Sequence, residues 1–462
     1  MRNVKLTLRM DLCCTKQQQL IMKKVLLIIA GLLVATQASA QVPVDSPQKN
    51  EISTQGSTPA KEELTKSIVQ VLDSIKKSQE ISKEKKEGWY DKISIRGYVQ
   101  VRYNGLFSSN DKVACDQCDK SWGTTGDGKS NNGFFIRRAR IVFSGQIHPN
   151  VYLYIQPDFA SSPTSGVNNF AQIRDAYFDL SFDAKKEYRV RVGQSKVPFG
   201  FENLQSSQNR LTLDRNDGLN SAVANERDLG AFFYWAPSKI RERFAMLIKD
   251  GYKGSGDYGV FGLGVYNGQT ANRSEANRDL HVVARVSYPF VIGNQIIEPG
   301  VQAYTGKWAF TSELSTGVTT PDKQYTKDQR VAATFVLYPK PFGIQTEYNI
   351  GKGPRYNKVT NTVDVSDLEG GYVTLNYKWD LPKNQLLYPF AKFQYYDGGK
   401  KFEKDARSYT VRDYEIGIEW QPVKAFELVA TWVIADRTFE DSALPNNRQQ
   451  GNLLRLQAQF NF

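Results

Sequence analysis

The stretch from 188 to 235 has the reverse of the polarity expected in a soluble sheet. Tyr188, Val190 and Val192 fall on one face of a strand, and Arg189, Arg191 and Gly193 on the other, because successive strand side chains point to opposite sides. Pro198, Phe199 and Gly200 then end the strand, since proline lacks the ladder donor and glycine weakens pairing. A polar run from 202 to 228 carries Arg210, Arg215 and Arg227, and the chain returns through Leu229-Gly230-Ala231-Phe232-Phe233-Tyr234-Trp235. An apolar face backed by arginines suits a membrane wall with lipid outside and water inside. The long polar run then has a wet lumen to fold into.

The same period of two recurs from Ile93 onward. Ile95, Val99, Val101 and Tyr103 oppose Arg96, Gln100 and Arg102, while Ala139, Ile141 and Phe143 oppose Arg138, Arg140 and Ser144. After the turn His148-Pro149-Asn150, Val151, Leu153 and Ile155 oppose Tyr152, Tyr154 and Asp158. Ala176, Phe178 and Leu180 then oppose Asp175, Tyr177 and Asp179. Further strands are predicted at 228–236, 258–268, 279–290, 295–308, 327–339, 341–352, 368–380, 386–397, 409–421, 424–436 and 451–462. Short connections at 338–341 and 421–424 alternate with long polar ones near 306–326, 351–367, 397–408 and 437–450, the asymmetry of periplasmic turns and external loops. Counting 244–249 as a strand gives seventeen. Bacterial single-chain barrels have even numbers, so 239–256 reads as an enlarged, helical periplasmic turn. The expected fold is all-β: a sixteen-stranded antiparallel transmembrane β-barrel over 89–462, with a short periplasmic helix before it. In the closing strand Leu454, Leu456, Ala458, Phe460 and Phe462 alternate with Arg455, Gln457, Gln459 and Asn461. The terminal Phe462 resembles the C-terminal signature that the outer-membrane assembly machinery reads.

Mean hydropathy is −0.48, and only 25–35 is continuously apolar, whereas a helical membrane span needs about 20 such residues. Lys23-Lys24, the apolar run and Ala38-Ser39-Ala40 read as a signal peptide over 22–40. Residues 1–21 then form an upstream extension from a misassigned start. Residues 1–40 hold six cations and one acid, so their removal leaves +7 of the whole chain's +12. An exported chain of this modest basicity is not expected to bind nucleic acid. Residues 41–60 have the composition of a flexible linker. Across 61–88, Leu64, Ile68, Val71 and Ile75 recur at spacings of four and three, which predicts an amphipathic helix with heptad character, needing self-association or a partner. Cys115 and Cys118 form a single CxxC without a second pair or a histidine; in an oxidising compartment this reads as a local disulfide before a zinc site.

Three motifs carry a family resemblance: Phe135-Ile136-Arg137-Arg138-Ala139-Arg140-Ile141, Arg191-Val192-Gly193-Gln194-Ser195-Lys196-Val197-Pro198-Phe199-Gly200 and Glu226-Arg227-Asp228-Leu229-Gly230. They resemble the phosphate-selective porin O and P family over about 93–462. The resemblance implies a homotrimer of sixteen-stranded barrels in the outer-membrane lipid, with the third loop folded inward and arginines lining the constriction. On that pattern Arg138, Arg140, Arg189 and Arg191 face the lumen, and Arg210, Arg215 and Arg227 lie in the folded loop. The helix before the barrel departs from the family's type members.

Alternation also turns Arg96, Arg102, Arg285, Arg330, Lys378, Lys392 and Arg455 inward, with Asp158, Asp175, Asp179, Glu298, Glu347, Glu415, Glu419 and Glu427. Arginine suits phosphate because its planar fork donates two hydrogen bonds at once and stays charged. The expected function is passive diffusion of small, phosphate-like anions. The alternatives are a weakly selective general porin, in which wall charges pair with one another, and a structural or adhesive barrel. Lys400, Lys401 and Lys404 are expected to gather anions on an external loop, with Glu403 and Asp405 offsetting them. With His148 and His281 as the only histidines, and no nucleophile elbow, phosphate loop or metal cluster, neither an enzyme nor a cofactor is expected.

Overall fold

The computed structural model describes residues 66–67, 69–74, 76, 88–110, 113, 133–161, 170–322 and 325–462. The chain divides into two compact units, 1–85 and 86–462. In the first, the described residues 66, 67, 69–74 and 76 are helical and exposed, inside the stretch with heptad spacing. The expected signal peptide and linker, and Cys115 and Cys118, lie outside the described residues.

The second unit is a closed antiparallel barrel of sixteen strands. β1 spans Ser94–Ser109, β2 Gly133–His148, β3 Val151–Ser161, β4 Phe170–Ser181, β5 Tyr188–Lys196, β6 Arg227–Trp235 and β7 Phe261–Tyr266. β8 runs His281–Ser287 and resumes at Phe290–Ile292 after Pro289, which has no ladder donor. β9 is Gln295–Ala309, β10 Tyr325–Leu337 and β11 Phe342–Asn357. β12 is Thr362–Tyr377, resuming at Trp379–Leu381. β13 Gln385–Gly399, β14 Ser408–Val423, β15 Phe426–Glu440 and β16 Asn447–Asn461 complete the wall. β9 pairs with both parts of β8, and β13 with both parts of β12, so each counts once. Val99 of β1 lies opposite Ala139 of β2 on one side and Phe460 of β16 on the other, which closes the ring. An even number of strands brings the start of β1 and the end of β16 to one rim, the terminal rim.

Burial follows the period of two, and β10 alternates exposed with buried side chains over nearly its whole length. Exposed Tyr188, Phe290, Phe342, Trp379, Trp420 and Phe462 ring the outer wall near the terminal rim, and Phe107, Phe134, Phe159 and Tyr325 near the far rim; such paired girdles mark the two lipid–water boundaries of a membrane barrel. Beyond the far girdle the strands outrun the sequence reading. The expected loops 351–367 and 437–450 shrink to 358–361 and 441–446, because Arg355 still pairs with Asp364 and Thr438 with Arg448. Above the lipid both faces are wet, so the alternation fades while the backbone ladder continues.

Segment 197–226 enters the barrel and is buried along most of its length. It contains α1, Phe201–Leu204, and α2, Asp217–Asn220. Gly200 starts the turn inward with φ +79°, and a Cβ there would stand 2.5 Å from Leu219 Cδ1, so only glycine fits without strain. Phe199 packs edge-on to Tyr304 at 4.8 Å. The connection after β6 holds α3, Ser238–Lys249, the helix expected from strand parity. Its Ile240, Phe244 and Leu247, at spacings of four and three, bury against Phe201, Ile296, Val336 and Tyr338, so α3 packs beneath the inward segment.

Lumen-facing rings repeatedly lie over glycines on the neighbouring strand. Phe232 is opposite Gly264, Tyr234 opposite Gly262, and Phe390 opposite Gly417. A Cβ at Gly264 would meet Phe232 Cδ1 at 2.2 Å, and one at Gly417 would meet Phe390 Cζ at 2.3 Å.

Candidate functional site

The inward segment carries four carboxylates, Glu202, Asp214, Asp217 and Glu226, and two arginines, Arg210 and Arg215. It is thus an acidic strap laid against a basic wall. Lys392 Nζ on β13 donates to Glu202 Oε1 at 2.6 Å, and Arg455 on β16 to Asp214 at 2.6 Å, with Arg102 of β1 3.7 Å from the same carboxylate. Asp217, in α2, meets Lys400 at 2.5 Å and Arg437 of β15 at 3.2 Å. Contacts to uncharged groups of the segment add to these: Tyr98 and Ser207 hydroxyls are 2.6 Å apart, and Arg330 Nη2 donates to the Ser221 carbonyl at 2.9 Å. A cavity of about 20 Å³ remains beside Asp214, Lys392, Arg437 and Arg455, room for about one water.

Most of the predicted lumen arginines face inward and are paired. Arg191 donates to both Asp179 oxygens at 2.7 and 2.9 Å, and its guanidinium lies 3.9 Å from the Tyr177 ring centre. Arg189 pairs with Asp257 at 2.8 Å, and Arg285 with Glu298 at 3.3 Å. Arg96 is exposed near the terminal rim and donates to Ser144 Oγ at 3.2 Å. Two expectations need correction. Lys400 and Lys401 are not loop-tip collectors of anions: they are 0% and 2% exposed and reach inward to Asp217 and to Asp328, each at 2.5 Å. Only Lys404 of that trio is exposed. Arg227 opens β6 and is not part of the folded loop.

One part of the lumen is not balanced. Arg140 of β2 pairs with Asp158 of β3 at 2.7 Å, and Arg227 with Asp175 of β4 at 2.8 Å. Glu226 contacts Arg227, with Arg215, Arg210 and Lys196 at 3.5, 3.6 and 4.0 Å. Arg138 interacts electrostatically with Arg140 and Arg210, and Arg174 with Arg140 and Arg227. Among the described residues, seven cations therefore meet Asp158, Asp175 and Glu226, with Arg137 acting on Arg138, and Glu202 on Arg210 and Arg215, from beside them. Arg138 Nε, Arg174 Nε and Arg210 Nη1 are buried without a hydrogen-bond acceptor. The sequence reading missed Arg174 and Lys196. Gln156 pairs with Asp175 but Pro157 with Ile173, so Arg174 is the extra residue of a β-bulge, which resets which side chains point inward. Lys196 donates to the carbonyls of Asn203 and Gln205 at 2.9 and 2.6 Å, a cation at the C-terminal end of α1; its position just before the Pro-Phe-Gly break was the available signal.

The sequence model of the phosphate-selective porin O and P family matches residues 112–462. No curated protein sequence matches the chain. Among solved structures, Salmonella typhi OmpF in complex with daunomycin is similar with TM-score 0.52 and 14% identity, covering 81% of this chain and 98% of that one. The outer-membrane channel DcaP of Acinetobacter baumannii gives TM-score 0.49 and 16% identity, over 80% and 97% of the two chains. The anion-selective porin from Comamonas acidovorans gives 0.48 and 10%, over 80% and 99%.

Proposed function

Since the chain belongs to the phosphate-selective porin O and P family and is an outer-membrane porin, we propose that it passes small, phosphate-like anions by passive diffusion past the basic cluster between β2, β4, β6 and the inward segment. The observation that carries this reading is the excess of cations over carboxylates in that cluster, which persists when Arg137 and Glu202 are counted with it. Buried charge without a partner is costly, so an anion in that passage is stabilised. The cations come from several elements, which lets an anion move between them without being held at one. Selectivity accordingly belongs to Arg138, Arg140, Arg174, Arg210, Arg215 and Arg227 before Arg189 and Arg191, whose charge Asp179 and Asp257 offset.

A weakly selective porin is the second reading. It is favoured by wall arginines elsewhere that have a carboxylate beside them, as Arg285 has Glu298. In both readings the terminal rim faces the periplasm, and three copies associate through their outer walls. The reversal potential across a salt gradient in a planar bilayer separates the readings. An anion preference that falls in Arg138→Gln with Arg210→Gln supports the first. A near-zero potential indifferent to both substitutions supports the second, and a cation-preferring channel overturns the anion reading.

A further inference from the structure

Between the basic cluster and the terminal rim, four side chains from β1, β3, β4 and β5 form one stack. Tyr154 of β3 and Tyr177 of β4 are register partners, with rings 5.0 Å apart and 8° from parallel. That separation is close to the spacing between adjacent strands, so both rings project from the wall side by side. The Arg96 guanidinium stands 5.6 Å from the Tyr154 ring centre, and that of Arg191 3.9 Å from Tyr177. The faces of both rings are therefore taken, by each other and by two cations. Their hydroxyl ends remain: both residues are only half-buried, and neither hydroxyl hydrogen-bonds to a described residue. Tyr258, ahead of β7 and also half-buried, adds a third such hydroxyl, its ring centre 5.5 Å from Arg191. Two residues further along the same strand faces, Gln156 and Asp175 hold Arg227 of the basic cluster. A strand rises about 3.3 Å per residue, so the hydroxyls lie one side-chain step from that cluster.

We propose that the Tyr154 and Tyr177 hydroxyls, assisted by Tyr258, form a hydrogen-bonding subsite for tetrahedral oxyanions and discriminate phosphate from halide. The second half of the proposal rests on the anion reading above: the basic cluster attracts any anion, and the phenols recognise the kind with several strong acceptor oxygens. A phenol hydroxyl donates without bringing a charge. The flanking guanidiniums polarise the rings they cover and favour electron-rich acceptors at the tips. A neutral donor pair next to a charged cluster gives a departing oxyanion a second, weaker station, as passage through a pore requires.

The test uses the full chain in detergent, titrated calorimetrically with inorganic phosphate, and the same protein in a planar bilayer under a chloride gradient. Replacing Tyr154→Phe and Tyr177→Phe keeps the stack and removes the hydroxyls. Loss of two neutral hydrogen bonds should weaken phosphate binding by about tenfold, while the chloride reversal potential moves far less. Arg138→Gln should weaken both. Phosphate binding equal to wild type in the double variant, or parallel losses for phosphate and chloride, overturns the subsite. Absence of phosphate binding in the wild type overturns it too. A cation-preferring wild-type channel instead overturns the anion reading, whatever the phenols do.

Discussion

Glu226 has four cations within 4.0 Å of its carboxylate. Its φ of 71° follows 56° at Asn225, so two successive non-glycine residues sit in the left-handed region at a cost of order 1–3 kcal/mol each. The ion pairs hold that backbone in place. Replacing Glu226→Gln should raise the anion preference, by exposing the surplus further, and destabilise the inward segment by about 3–5 kcal/mol. Reversal potential and thermal melting read the two effects, and an unchanged potential would separate this cluster from the conduction path. At this scale the sequence reveals which arginines point inward wherever the alternation is unbroken, as at Arg189 and Arg191. It does not reveal their partners, because Asp257 approaches Arg189 from a different connection. Nor does it reveal Arg174, because a bulge leaves no mark in the pattern of polar and apolar residues.

The inward segment and the far-rim loops act as coupled elements. Lys400 belongs to the connection after β13 yet ends on Asp217 in α2, so displacing the strap requires this outer loop to give way. Asp217→Asn should increase single-channel conductance, and Lys400→Met should do the same. If conductance stays the same in both, the strap is a fixed constriction. The outer loops are themselves tied at Asp405, whose carboxylate accepts from Ser315 N and Oγ at 2.6 and 2.7 Å and from Ser442 Oγ at 2.7 Å. Burial alone would raise its pKa, but the serine hydroxyls and backbone amides hold it below the ordinary carboxylate value. A depressed carboxylate contributes its stability above the ordinary value and loses it as pH falls through the folded one. The loop junction should therefore stay closed at neutral and mildly acid pH and loosen only in stronger acid. Asp405→Asn should loosen it at neutral pH, seen as faster hydrogen exchange over 313–318. The strands were legible because lipid on one side and water on the other impose a period of two. Their extensions above the lipid were not, and α3 was inferred only from parity and from turn lengths that fall out of step there.

For the whole molecule, Phe462 extends by one residue the ladder that closes the ring. Phe462 N donates to the Gly97 carbonyl at 3.0 Å, and Gly97 N to the Phe462 carbonyl at 2.9 Å. The exposed Phe462 ring lies so close that a Cβ at Gly97 would stand 2.5 Å from its Cζ. Deleting Phe462 should reduce assembled, heat-modifiable barrel in cells while synthesis and export persist, and more so than Phe460→Leu. Normal assembly of the deletion would reject its role as a signal for the assembly machinery. The proposed trimer is checked by mass in mild detergent, where a monomer would reject it.

The rings lying over glycines also bear on how this sequence can change with time. Positions 232 and 264, or 390 and 417, share one volume across two strands, so neither member of a pair varies freely while the other stays. Substitutions there should travel in couples, a large side chain appearing on one strand only as a small one appears on its neighbour. A library randomised at 232 and 264 together, selected for assembled barrels, should return large–small and small–large combinations and almost no large–large ones. The lumen would then inherit its shape as matched pairs of strands, even where its charges drift independently.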